Sequence, residues 1–312
     1  MMRRLLAIAL TLSAWVAGTI VGSIGTPAPA GAVPVFVVGR AHAESFPAFD
    51  TDEPVFVLVL GSDSRPGTPV NRGLADSIHI LGINPSANRA TLYGIPRDSY
   101  VPLSTGGTNK INAAMPQGGP EAMIATVESL TGITFDYYVL TGFTGFQKAV
   151  NQIGGLEIDV PYSFQGYRQV FEAGPQTLDG PSALEYGRTR KSLPHGDFDR
   201  SMNQGRLMVA SLAQFRGDFA KDPAAVFEWL GAGLRNVETT LSIDELTGLA
   251  FLADVLKPAR VTNLVAFGGT GTVGGMSVVQ LDPGNQALWQ DLAKDGFILQ
   301  KAIPAEYQPS GA

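Results

Sequence analysis

Acids and arginines recur in a few short stretches of a chain that is otherwise poor in charge. Asp63 and Arg65 lie in VLVLGSDSR, Arg72 and Asp76 in VNRGLADSIHIL, and Arg97 and Asp98 in GIPRDS. Arg188, Arg190, Asp197, Arg200 and Gln204 lie in YGRTRKSLPHGDFDRSMNQ. Two carboxylates near strand ends can hold a hard divalent cation such as Mg²⁺ through oxygen, with substrate phosphate completing its shell. Arginines converging beside them would grip phosphate oxygens in pairs. A metal with an arginine cage stabilises charge on a transferring phosphoryl group. Phosphoryl transfer is the chemistry these residue types point to.

Each residue also has a plainer reading. GSDS is a turn sequence, in which Asp63 would bond nearby backbone N–H groups. Asp76, thirteen residues on, opens the next strand and would serve equally as a cap or turn acid. Asp98 either pairs with Arg97 or orients it. Arg188 and Arg190, two apart, would diverge by about 200° on a regular helix. Sharing a target therefore requires the helix to end there, as Ser192, Pro194 and Gly196 suggest. Otherwise they are a basic helix end complementing the macrodipole. Asp197 and Arg200 have the spacing of an intrahelical pair at a helix start, a place that also favours anions. Gln204, one turn on, could hydrogen-bond phosphate or sugar, but a lone glutamine on a helix is more often surface filler.

The elements that must position these residues alternate between strand and helix. VFVLVL is an uninterrupted apolar run suited to a buried central strand, and a carboxylate just beyond its end sits where open α/β sheets bind ligands. SIHILGIN and ATLYGI follow as strands across a turn-rich NPSANR connection. GGPEAMIATVESLTG and TGFQKAVNQIGG read as helices around the strand FDYYVLTGF. LEIDVP through FQGYRQVF reads as a β-meander. DGPSALEYGRTR and DRSMNQGRLMVASLAQF are helical, with a loop between them. PAAVFEWLGAGL and SIDELTGLAFLADVL are amphipathic helices, the latter with a Ser242–Glu245 capping box. Late strands TNLVAFGG and SVVQL and a closing helix NQALWQDLAKDG complete a single layered α/β/α domain around a mixed sheet. Gly269 to Gly274 matches G-x-G-x-x-G, but strand-like sequence follows it. A glycine-rich hairpin is the better reading than a dinucleotide site.

The chain of 312 residues is 45% hydrophobic, carries a net charge of −6 and lacks cysteine. A basic footprint for nucleic acid is absent, and so are disulfides, thiolate metal sites and a cysteine nucleophile. The three histidines form no H-E-x-x-H, and no G-x-S-x-G occurs. Leu5 to Ile24 is free of charge behind Arg3 and Arg4. At about 30 Å it is long enough to span a bilayer, with the body exported. A cleaved signal peptide is the alternative, with small-x-small patterns at Ala28–Ala30 and Ala41–Ala43. The organisation expected is an anchor over 1–24, a Pro/Gly/Ala-rich linker over 25–52 with one possible edge strand, VPVFVV, a catalytic domain over 53–305 and a tail over 306–312.

GSDSR, the later Asp76, PRDS, KINAA, IGGLEIDVP, LDGPSALEYGRTR and GDFDR…Q occur in the order seen in LytR-CpsA-Psr proteins, which the stretch 55–212 resembles. The resemblance implies a membrane-anchored transferase that moves a glycopolymer from a polyprenyl-diphosphate carrier onto peptidoglycan. It implies that Asp63 and Asp76 hold Mg²⁺ and that Arg65, Arg97, Arg188, Arg190 and Arg200 hold the diphosphate. It leaves the base for the acceptor hydroxyl open among Asp63, Asp76 and Asp98. Two positions depart from the family pattern. Leu74 stands where an arginine is common, with Arg72 close by, and Asn203 replaces another arginine just before the glutamine. A non-catalytic binder of polyprenyl phosphate or wall polymer, and a simple pyrophosphatase, are the competing expectations.

Overall fold

A computed structural model describes residues 36–42, 53–65, 67–222 and 256–303, with isolated positions between 229 and 253. The expected membrane anchor, most of both helices expected over 223–256, Ser242 and the tail lie outside the described residues. Among the described residues no helix is long and apolar enough to cross a membrane.

Fifteen strands and five α-helices make up the described fold. In the first half are β1 (Phe36–Arg40), β2 (Val55–Ser62), β3 (Ala75–Asn84), β4 (Arg89–Gly94), β5 (Tyr100–Pro102), β6 (Thr108–Lys110), α1 (Ala114–Thr131), β7 (Tyr137–Gly142) and α2 (Phe143–Gln152). There follow β8 (Leu156–Val160), β9 (Phe164–Gln165), β10 (Val170–Phe171), β11 (Gly174–Leu178), α3 (Gly180–Arg188) and α4 (Asp197–Lys221). The last are β12 (Val237–Thr239), β13 (Val261–Val265), β14 (Gly268–Val273), β15 (Met276–Leu281) and α5 (Asn285–Asp295).

Seven strands form one mixed sheet in the order β12-β1-β7-β2-β3-β4-β13. The β2–β3 and β3–β4 pairs are antiparallel hairpins, while β2–β7 and β4–β13 are parallel and need the helical crossovers between them. β2 has the most buried position because VFVLVL is apolar on both faces. Phe56, Leu58 and Leu60 point to one side with Ile78 and Ile80, against Met123 and Val127 of α1 and Trp289 of α5. Val55, Val57 and Val59 point to the other with Leu81 and Tyr137, toward Leu212 of α4. A third cluster joins α2, α3 and α4 to the small strands through Val150, Ile158, Phe171, Tyr186 and Leu207.

Two elements differ from the sequence expectation. β1 is not an edge strand, because β12 pairs outside it in parallel. The segment 156–178 is a nested pair of hairpins rather than a meander: β9 pairs with β10 inside, while β8 pairs with β11. Meander and nest carry the same alternation of apolar residues, and only the tertiary pairing separates them. Glu245 receives Arg40 through both carboxylate oxygens, each at 2.7 Å, tying β1 to the segment beyond β12. The glycine-rich G-x-G-x-x-G match forms the hairpin β14–β15, as expected.

The start of α4 lies directly on the sheet. A methyl group at Gly94 would overlap Ser201 Oγ, so β4 carries a residue without a side chain where the helix lands. His79 of β3 fills the space beside it, fully buried. A carbonyl only accepts, so His79 Nε2–H donates to Ser201 O at 3.1 Å, and Nδ1 takes the Ser77 hydroxyl at 3.1 Å. Burial holds the His79 pKa down at about 4 from 6.5, although the Ser201 carbonyl favours the protonated ring.

Between these two values the unfolded chain binds the proton and the folded chain does not. Stability from this residue therefore rises with pH and is lost as pH falls from 6.5 toward 4. Unfolding free energies measured in urea should fall by about 3 kcal/mol more between pH 7 and pH 4 for the wild type than for His79→Gln. Equal pH slopes would show that the ring is not the titrating group.

Candidate functional site

The site begins where β2 gives way to the loop before β3. The register shifts at Gly61–Ser62, and the chain then closes on itself: Asp63 N–H donates to Leu74 O at 2.9 Å, and Leu74 N–H donates to Asp63 Oδ1 at 2.7 Å. Asp63 is thus a turn acid as its local sequence suggests, with only one carboxylate oxygen engaged. The closure fixes it just past the end of β2, across from Leu74, which lies two residues before Asp76 on the facing strand. Arg65 and Arg72, on the exposed loop between, form no ion pair among the described residues. Leu74 is 37% exposed and acts here through its backbone.

From Asp76 the charges alternate. Arg97 Nη1 donates to Asp76 Oδ1, and Arg97 Nε stands 4.0 Å from Asp98 Oδ1. Lys110 Nζ reaches Asp98 Oδ1 at 3.1 Å, and Arg190 Nη1 reaches Asp98 Oδ2 at 3.4 Å. The same Arg190 nitrogen lies 3.1 Å from Asp197 Oδ1, which also takes Arg200 Nη2 at 3.2 Å. Four cationic side chains therefore meet three carboxylates in one chain of contacts. Burial works against the Arg97 charge, but Asp76, with Asp98 and Asp197 behind it, holds its pKa above the ordinary value. Burial alone would push the Asp98 carboxyl up; the Lys110 hydrogen bond and the Arg97 charge outweigh it and hold the pKa below the usual range. At Arg200 burial prevails and lowers the pKa, Asp197 opposing. Two polar atoms of this cluster are buried without a hydrogen-bond partner, the donor Arg97 Nε and the acceptor Asp197 Oδ2.

The two arginines of GRTR part company at the end of α3. Asp179 caps that helix by accepting Ser182 N–H at 2.8 Å. Arg188 is its last residue, and Thr189 turns extended at φ −63°, ψ 132°. Arg190 thereby enters the ion-pair chain, whereas Arg188 lies over the Phe143 ring, 4.2 Å from its centre. Gly196 at φ 55°, ψ −111°, a conformation open chiefly to glycine, then starts α4 with Asp197 in its first turn.

Gln204 uses its amide nitrogen on the backbone: Nε2 donates to the carbonyls of Gly187 at 3.0 Å and Asp76 at 3.2 Å, clamping α3 to β3. Asn203 is buried, accepting from Tyr186 Oη–H and Arg206 Nη1. Lys110 was absent from the sequence-derived set. The KINAA motif contained it, but nothing local separates a site lysine from one preceding a short helical turn.

An apolar cleft of about 130 Å³ opens beside Asp76, Arg188 and Gln204, walled by Val59, Phe143, Phe146, Leu184, Leu207 and Met208. Among the described residues no group of three or more His, Asp or Glu side chains converges as a metal cage. Two carboxylates alone fall below that count, and a magnesium ion held by one or two carboxylates would need substrate phosphate to complete its shell. Asp63 and Asp76 each have one oxygen engaged by the protein and the other without a hydrogen bond among the described residues.

Known proteins share this fold. TagU from Bacillus mycoides (strain KBAB4), named a polyisoprenyl-teichoic acid–peptidoglycan teichoic acid transferase, is 33% identical over 195 residues, 62% of either chain. TagV from Bacillus subtilis (strain 168), named in the same way, is 33% identical over 208 residues, 64% of this chain and 52% of its own. The matched region thus spans less than two thirds of these relatives. The crystal structure of B. subtilis TagV superposes with a TM-score of 0.67 at 27% identity, over 81% of this chain and 99% of that one. The profile of the LytR_cpsA_psr family matches residues 37–291, from β1 into α5 and through every charged residue described above. The chain therefore belongs to the LytR-CpsA-Psr family.

Proposed function

We propose that this chain is an exported phosphotransferase that moves a glycopolymer from a polyprenyl-diphosphate carrier onto peptidoglycan. The observation that carries this reading is the chain of contacts from Asp76 through Arg97, Asp98 and Arg190 to Arg200, lying beside an apolar cleft with Arg188 at its mouth. The teichoic acid transferases it resembles are named for a polyisoprenyl-linked donor and a peptidoglycan acceptor. The segment Leu5–Ile24 would hold the body at the outer face of the membrane, or be removed as a signal peptide.

Arg188 would receive the lipid diphosphate where the cleft opens, its guanidinium lying over the Phe143 ring. Arg97 offers the buried Nε that has no protein partner. Arg190 and Arg200 complete the positive side. The cleft accommodates only the first carbons of a polyprenyl chain, so a long carrier requires α2 and α3 to move away from the sheet. Charge counting supports a cation in the same place. With the exposed Arg65 and Arg72 left aside, five cations (Arg97, Lys110, Arg188, Arg190 and Arg200) stand against four carboxylates (Asp63, Asp76, Asp98 and Asp197). Both phosphates of a diphosphate diester are ionised, so the protein alone leaves the complex negative. Mg²⁺ held by Asp63 and Asp76 would supply the missing positive charge on the phosphate oxygens.

Replacing Asp63 or Asp76 with Ala should abolish transfer together with its Mg²⁺ dependence, and Asp76→Ala should also lower stability by leaving Arg97 without its partner. Turnover against Mg²⁺ concentration, with a polyprenyl-diphosphate glycopolymer and peptidoglycan, measures this. Unchanged turnover in both variants would remove the metal site from the mechanism.

Lysine should replace Arg97, Arg188 or Arg190 poorly, because a planar guanidinium spans two phosphate oxygens and an ammonium does not. Each change should slow transfer about 100-fold, on the order of 3 kcal/mol. Arg65→Lys and Arg72→Lys, on the exposed loop, should stay near wild type. Fast Arg188→Lys and Arg190→Lys enzymes would sink the phosphate-cage reading, and release of free phosphate without polymer transfer would identify a pyrophosphatase instead.

A further inference from the structure

A second, larger concavity borders the same charges from the other side of α4. It encloses about 1030 Å³ between the loop 190–199, the outer face of α4 and the β14–β15 hairpin. Met202 and Arg206 face it, whereas Gln204, Leu207, Met208 and Ser211 face the apolar cleft. At 100° per residue the mid-directions of these two sets lie about 170° apart around the helix. Asp98, Arg190 and Asp197 line the groove, while Asp76 and Arg188 line the cleft. The ion-pair chain is thus the partition between them. The floor of the groove is fixed to it, since Val279 N–H of β15 donates to Asp98 O at 2.8 Å. Half-buried rings of Tyr162, Phe198 and Phe267 interrupt polar walls, the mixture that suits the faces and hydroxyls of a sugar rather than a lipid.

Phosphoryl transfer requires the attacking and leaving oxygens to lie roughly in line through phosphorus. A lipid phosphate leaving into the cleft therefore calls for a nucleophile arriving from the opposite side. The groove opens there, and Asp197 stands at its base. The Asp197 side chain is only 8% exposed, its Oδ1 is held by Arg190 and Arg200, and its Oδ2 is buried with no partner. An oriented carboxylate oxygen without a donor is a place for a hydroxyl.

Resting on the phosphotransferase reading above, we propose that this groove is the acceptor site and takes a carbohydrate hydroxyl of the glycan strand, with Asp197 Oδ2 as its proton acceptor. The hydroxyl oxygen forms the new bond to the glycosyl phosphorus as the bond from that phosphorus to the bridging oxygen breaks. The electron pair leaves with polyprenyl monophosphate, and the hydroxyl proton passes to Asp197. Asp63, Asp76 and Asp98 are less suited to this task. Asp63 and Asp76 do not line the groove, and both oxygens of Asp98 are engaged, by Lys110 and Arg190.

The test separates acceptor from donor. Thr270 and Ser277 are exposed on the groove wall, away from the ion pairs, so Thr270→Trp and Ser277→Trp fill the groove without touching the core. With soluble glycan fragments as acceptor, both should raise the acceptor KM about tenfold or more at little change in kcat. Their affinity for polyprenyl monophosphate should remain that of the wild type. Asp197→Asn should instead lower kcat about 100-fold or more at unchanged acceptor KM. Wild-type acceptor KM in both tryptophan variants would overturn the groove assignment, and wild-type kcat in Asp197→Asn would overturn the base. A wild-type protein that binds no polyprenyl phosphate and cleaves no donor would overturn the phosphotransferase reading, and this assignment with it.

Discussion

Asp98 and Asp197 share one guanidinium nitrogen of Arg190, and on either side of that nitrogen the charges alternate out to Asp76 and Arg200. Three separate parts of the fold meet there: the β3–β4 end of the sheet, the loop after α3 and the first turn of α4. The ion pairs tie the three together directly at this point. Buried pairs of this kind are a weak source of net stability, because desolvation consumes most of the attraction. Removing one member is another matter, costing about 3–5 kcal/mol by leaving a partner buried and unpaired. The cluster is better understood as holding arginines in place ahead of substrate than as holding the protein together. Preorganised charge of that sort requires no reorganisation when an anion arrives.

The backbone beneath the cluster has been shaped to allow it. Gly94 lets α4 approach β4, and a neutral His79 bridges the two elements through Ser201, the residue after Arg200. A charged imidazole in that pocket would have no carboxylate to meet it, since its neighbours are a hydroxyl and a carbonyl. Gly196 reverses the chain so that Asp197 enters the first turn of α4, where the helix dipole favours its charge. Local conformation and site electrostatics therefore point the same way, which is the mark of a position specified at several levels.

Much of this could be read from the chain. The apolar run of β2, the hairpin to β4, the helix break after Arg188 and the Asp197–Arg200 pair are all local, and local pattern predicts them. The nested hairpins of 156–178, the insertion of β1 beside β12 and the clamp made by Gln204 are set by partners far off in sequence, which alternation and propensity do not encode. Lys110 shows the same limit in a single residue. Its motif was recognisable, but its contact with Asp98 depends on β6 folding back over the start of the segment that follows Arg97. The groove behind α4 was invisible for a similar reason, since its walls come from residues near 98, 162, 195, 265 and 279.

Asp76 is the point at which these constraints converge. In the protein alone it neutralises Arg97, and in the proposed function it also serves a cation with Asp63. A carboxylate shared between two positive partners screens each less than it would screen one alone. Arg97 then has more of its charge to offer a phosphate, and it already carries a buried N–H with no protein partner. Linkage makes such coupling mutual: whatever the cation does for diphosphate affinity, the diphosphate does for cation affinity. The resting pair Asp76–Arg97 thus keeps two buried charges compensated until a ligand bearing both signs arrives. That behaviour follows from a site assembled by alternating charges, and an isolated cluster of arginines would lack it.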